Sequence, residues 1–171
     1  DGLVLVASGA GGHTGQTAGF AFVDEVRQFW NGPIVLGGAI STGHAIRAAE
    51  VLGADLAYVG TALIACTESM AEQGYKDMVV AASAGDIVPS KGITGVTANW
   101  LRPSLIAAGY DPSNMAEDKK PNFENAQDDA KAWKNVWSAG QGVGAVKASE
   151  PIAEIVARLK AEYQAACSLP R

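Results

Sequence analysis

Cysteine is nearly missing from this sequence: Cys66 and Cys167 are the only two in 171 residues. They lie far apart, without a Cys-x-x-Cys or histidine spacing. That leaves neither a disulfide framework nor a metal site to expect, and it fits reduced thiols in a cytoplasm. Long apolar runs are missing too. No stretch reaches the roughly 18 apolar residues of a spanning helix, so no membrane partner is expected. Basic clusters are also absent, with 13 Lys and Arg scattered among 18 Asp and Glu, a net charge of -5 and a pI near 5.0. Such a surface repels a phosphate backbone, which argues against nucleic acid. What is present, 48% hydrophobic against 18% charged residues, suffices for one buried core and predicts a single domain.

Glycine, by contrast, is placed with purpose. Gly9-Ala10-Gly11-Gly12-His13-Thr14-Gly15, Gly37-Gly38-Ala39-Ile40 and Gly60-Thr61 each follow a short apolar, β-branched segment, at Leu3–Val6, Ile34–Leu36 and Leu56–Val59. Helical patterns follow at 17–30 and 45–52, the second stopped by Gly53. This is the rhythm of successive βα units and predicts at least three parallel strands, buried on both faces. Glycine lets a backbone approach a ligand closely, and exposed amides at such turns bind anionic oxygen. The turns therefore predict a phosphate-binding rim.

Ser69 with Glu72 spells a capping box for a helix ending near Ala82, and Glu68 with Ser69 reads as its start. From there Gly85, Pro89, Gly92, Gly95 and Pro103 interrupt the pattern, leaving irregular loops and one short helix over 104–108. A polar excursion is expected over 111–125, and a last helix capped by Ser149, with Ile152, Ile155, Val156, Leu159 and Tyr163 on one face. These boundaries divide the chain into 1–82, 83–148 and 149–171. Gly140-Gln141-Gly142-Val143-Gly144-Ala145 satisfies G-x-G-x-x-A, but helical character from Trp133 to Ala139 precedes it instead of a strand, so the dinucleotide fingerprint is rejected in favour of a flexible loop. Trp100, Trp133 and Trp137 read as core or interface anchors. Three strands with covering helices leave sheet edges to pair, and a closed eight-stranded barrel needs about 200 residues or more, so the remainder is expected from elsewhere. The start at Asp1 without methionine fits a segment upstream.

Gly11-Gly12-His13, Gly37-Gly38 with Ile40, Leu52-Gly53-Ala54-Asp55, Tyr58-Val59-Gly60-Thr61 and Glu68-Ser69 resemble, in order and spacing, the nitronate monooxygenase (2-nitropropane dioxygenase) family. Ile93-Thr94-Gly95, Asn99, Leu101-Arg102-Pro103-Ser104 and Ser138-Ala139-Gly140-Gln141-Gly142 are similar to its carboxy-terminal part. The resemblance implies an α/β fold of the (β/α)8 TIM-barrel type, of which this chain supplies the last βα units and the segment after them. It implies FMN as cofactor, with Gly11 and Gly12 beside the flavin, Gly37, Gly38 and Tyr58, Val59, Gly60 and Thr61 at the phosphate, the loop 140–145 near the flavin, and His13 as base. Val6 stands where many members carry Gln, and Tyr58-Val59 where they carry Gln-Met. Partners would be a nitronate or nitroalkane and oxygen, together with the amino-terminal barrel part or another chain.

A nitroalkane must lose its α-proton to become a nitronate, and imidazole suits that transfer near neutral pH. His13 is one of only two histidines. The other, His44, reads as capping or packing at a helix start. The rival expectations are an FMN-dependent NAD(P)H reductase of quinones or enoyl thioesters, and a non-catalytic partial barrel. The plain alternative for the glycine pairs is tight turns.

Overall fold

The computed structural model describes residues 1–115 and 135–169. Strands β1 (Leu3–Val6), β3 (Ile34–Gly37) and β4 (Leu56–Tyr58) form a parallel sheet in the order β1-β3-β4. Helices α1 (Gly19–Arg27) and α2 (Gly43–Leu52) make the crossovers, giving the expected βα rhythm. Leu5, Ala7, Ile34 and Leu36 bury one face of the sheet against Val23, Val26 and Ala49.

The opposite face corrects the expectation of two-sided burial. Register places Val4, Val35 and Leu56 in one row and Val6, Gly37 and Tyr58 in the next. Val4, Val6, Leu56 and Tyr58 are 43–63% exposed. Apolar residues on both faces made alternation invisible in the sequence, although one face alone is covered here. Ile152 and Val156, placed on the apolar face of the last helix, are also exposed, as is Phe20.

The region after Ala82 holds more order than its glycines and prolines suggest. Strands β2 (Gly12–His13), β5 (Ile87–Ser90) and β6 (Ala98–Leu101) form a second, antiparallel sheet in the order β2-β6-β5. Pro89 is tolerated because β5 is an edge strand. All four residues of β6 are buried, and the Trp100 indole donates to the Ser90 carbonyl at 3.2 Å. Helix α5 (Arg102–Ala107) follows. The excursion predicted from residue 111 lies, from residue 116 onward, outside the described residues, as does Trp133.

Capping departs from the sequence patterns. Helices α3 (Thr61–Ile64) and α4 (Gln73–Ala81) replace the single helix, and Ser69 accepts from the Ala71 amide in a turn. Ser83 and Asp86 form the capping box instead. The last helix, α6 (Ile152–Cys167), is capped by Glu68, which accepts from the Ile152 amide at 2.9 Å, while Ser149 donates to the Ala65 carbonyl. That amide holds the Glu68 carboxyl below the usual carboxylate range.

Arg27 locks the two crossovers together. Its guanidinium donates to the carbonyls of Gly32 and Gly53 and to Asp55 at 2.7 Å, and Asp55 also accepts from the Ile34 amide at 2.8 Å. The Ile34 amide first, and Arg27 second, hold the Asp55 carboxyl below its usual range. A lowered carboxyl contributes stability that is complete above its unfolded pKa, about 3.9, and is lost as pH falls through the folded value. Asp55→Asn is therefore expected to lower the melting temperature near neutral pH, with the deficit closing on acidification. Melts across that range check it, and a deficit independent of pH would assign Asp55 no ionic role.

Candidate active site

The three glycine turns meet. Gly9 (φ 89°) carries the hub carbonyl of the site: it accepts from the Ala39 amide at 3.2 Å and from the Gln141 amide at 2.9 Å. The first turn is thereby tied to the second and to the segment after residue 138. Asn99, fully inside β6, donates from its amide nitrogen to the Ala10 carbonyl at 2.7 Å. The second turn runs through Gly38 (φ 133°) into Ala39 (φ 57°), the one described non-glycine residue with positive φ. The third, Gly60-Thr61, opens α3, and the Thr61 hydroxyl accepts from the Gly140 amide at 2.8 Å.

These pieces surround a cavity of about 490 Å³, a size suited to a small ligand or part of a cofactor. Of the residues predicted for the site, Gly11, His13, Gly37, Gly38, Tyr58, Gly60 and Thr61 border it. Gly12 and Val59 do not. Gly12 is held in β2 against Asn99, and Val59 packs toward the core clusters beside β4. Among the described lining residues His13 is the one histidine, and there is no Lys, Arg, Asp or Glu. Any anion bound here is met by backbone amides and hydroxyls. His13 is exposed on β2, and its place is set by pairing with Ala98 of β6. His44 is exposed as well, and neither caps nor packs: Thr42 caps α2 by accepting from the Ala45 amide.

The resemblance brings the 140–145 segment near the flavin, but its rigidity was not expected. Ser138 and Gly142 border the cavity, and Gln141–Ala145 is a 3-10 helix with Val143 fully buried, so this segment is a fixed wall where a flexible loop was expected. Ser138 bridges antiparallel to Trp100, which corrects the helical reading at 137–139, while residue 135 is helical and 133–134 lie outside the described residues. Tyr75 stacks on Trp137, with centroids 5.1 Å apart, and donates its hydroxyl to the Ser138 carbonyl. Burial raises the Tyr75 pKa. Ser41 and Ile64 also border the cavity. Tyr75 and Trp137 had no local signal, because they act on the site through long-range packing.

The nitronate monooxygenase family model matches residues 1–162. The chain belongs to that family. Its members are oxidoreductases that depend on a flavin. A nitronate monooxygenase of Paraburkholderia phytofirmans is 32% identical over 182 residues, an alignment covering 96% of this chain and 49% of the relative. Among solved structures, a nitroalkane oxidase of Streptomyces ansochromogenes is 26% identical, with a TM-score of 0.71 over 98% of this chain and 53% of that one. FabK of Thermotoga maritima has a TM-score of 0.79 at 24% identity, covering 98% and 55%. The three parallel βα units are thus part of a TIM barrel, and the chain spans about half the length of the curated relatives it matches. Among the described residues no helix is long and apolar enough to cross a membrane.

Proposed function

We propose that this chain forms the phosphate-binding part of an FMN-dependent nitronate monooxygenase, which oxidises alkyl nitronates or nitroalkanes with molecular oxygen. The observation that carries the proposal is the convergence of three strand-end glycine turns on one cavity with a single histidine beside it. Family membership supports the oxidoreductase class, and the likeness to a nitroalkane oxidase supports the substrate class.

The residues fit the cofactor. Gly60 presents backbone where a side chain would intrude, Gly38 gives the second turn its positive φ, and Thr61, having accepted from the Gly140 amide, keeps its hydroxyl proton for a phosphate oxygen. Val4, Val6 and Ile64 supply apolar wall for a flavin ring. When bound, the flavin accepts the substrate's electrons and carries the oxygen chemistry. The chain's own tasks are to hold the phosphate, orient the ring and take a proton. His13 takes the α-proton of a neutral nitroalkane at an imidazole nitrogen, from a strand that β6 keeps in register. A preformed nitronate has already lost that proton. The rest of the barrel, from preceding residues or another chain, supplies the remaining contacts.

His13→Asn in the flavin-loaded enzyme is expected to retain FMN and to lose turnover of neutral nitroalkane by about a hundredfold, with a far smaller loss for nitronate. Steady-state rates on both substrates check it, and equal losses would remove the base role. Flavin bleached anaerobically by NAD(P)H but untouched by nitronate would instead favour a reductase. A colourless chain that takes up no FMN would favour a non-catalytic partial barrel.

A further inference from the structure

One buried polar group at the cavity has no partner. Ser41 is 2% exposed and borders the cavity, and its Oγ is the only buried side-chain nitrogen or oxygen among the described residues without a hydrogen bond. Native folds keep few such groups, because an unpaired buried hydroxyl is destabilising. The hydroxyl lies against Gly142, where a Cβ would overlap it, and Gly142 also passes close to the Ala39 carbonyl. On the other side of the same segment, Thr61 meets Gly140. Two hydroxyls therefore flank Gly140-Gln141-Gly142, one engaged by an amide and one unengaged, in a corner without a charged side chain among the described lining residues.

We infer that Ser41 is a ligand of the flavin phosphate, donating its hydroxyl to a phosphate oxygen and setting a preference for FMN over riboflavin, which lacks the phosphate. The inference rests on the flavin assignment proposed above. Ser41 sits in the turn that leads from Gly38 to α2 and borders the same cavity as that turn, and its hydroxyl, closed off in the ligand-free chain, meets the anion once the side chain turns toward the cavity. A tetrahedral dianion offers several acceptor oxygens, and hydroxyls and amides satisfy them without a cation. The unpaired hydroxyl is then a binding group whose partner is the ligand, and the fold bears its cost.

Ser41→Ala separates this role from a structural one because the two predict opposite signs. Removing an unpaired buried hydroxyl is expected to leave the ligand-free melting temperature of the 171-residue chain unchanged or raised. FMN affinity, read by quenching of flavin fluorescence, is expected to fall about tenfold, while riboflavin affinity stays unchanged. Inorganic phosphate is expected to raise the melting temperature of the parent chain more than that of the variant. Equal losses for FMN and riboflavin, no loss for either, or a lowered ligand-free melting temperature would overturn the inference. If the parent chain binds both flavins equally, the phosphate is not held at this corner. If it binds neither, the flavin assignment fails as well.

Discussion

Gly43→Ala is expected to destabilise the chain by about 3 kcal/mol or more and to free its last helix. Helix propensity alone points the other way, since alanine is favoured over glycine by about 1 kcal/mol in a helix. Packing decides the sign. A Cβ at Gly43 would overlap the Leu159 carbonyl oxygen and the Tyr163 amide, which are backbone atoms inside α6 and have no rotamer to escape through. The Gly43 amide also donates to Glu162 of α6 at 2.7 Å, so α2 and α6 are joined by a hydrogen bond at the point where they touch. Pushing the helices apart breaks that bond and opens the contacts of Ile155 and Leu159 with Cys66 and Ile46. Denaturant melts measure the loss, and limited proteolysis within 152–167 locates it. Gly85→Ala is the control: its nearest neighbour would be the Ser83 hydroxyl at 3.7 Å, and its φ is ordinary, so it should cost under about 0.5 kcal/mol. A Gly43→Ala chain as stable as that control would mean that the crossing is looser than drawn.

Nothing in Ser41-Thr42-Gly43-His44 announces that crossing. Locally it reads as a helix start, and Thr42 indeed caps the helix. The need for glycine arises from residues more than a hundred positions away. The same division runs through the whole chain. β1, β3 and β4 were legible because their apolar runs end at glycine, and this covers the half of the fold built from neighbouring βα units. The second sheet was not. β2 has two residues and no pattern, β5 carries Pro89, and β6 is buried throughout and so shows no alternation. Capping failed similarly. Ser69 and Glu72 have the right spacing, yet the chain turns at Ala71, and Glu68 caps a helix that begins at Ile152. In the site, the turns could be read because each glycine run closes a strand. The Ser138–Gly142 segment was expected near the flavin only by resemblance and as a flexible loop; that it is a fixed wall could not be read, because its rigidity follows from Tyr75, Thr61 and the Gly9 carbonyl.

Gly60→Leu is expected to weaken FMN binding by at least about a hundredfold while leaving the melting temperature where it was. Most glycines of the site cannot give so clean a result. Gly38 has φ 133°, and a Cβ there would stand 3.1 Å from the carbonyls of Ala7 and Ser8, so a substitution strains the backbone whether or not a ligand is present. Gly140 would bring a Cβ to 2.6 Å from the Gly9 carbonyl and 3.1 Å from the Thr61 hydroxyl, disturbing three parts of the site together. Gly60 differs from both. Its φ of -116° is open to any residue, no heavy atom beyond its chain neighbours lies within 4 Å of where its Cβ would be among the described residues, and it borders the cavity. A side chain there meets open space in the protein and collides with the ligand alone. Because the corner it fills is assigned to the phosphate, riboflavin should lose less affinity than FMN. Titration of both flavins against Gly60→Ala and Gly60→Leu checks the grading with size. FMN binding at full strength to the leucine variant would place the phosphate away from the third turn, and with it the anchor on which the proposed chemistry depends.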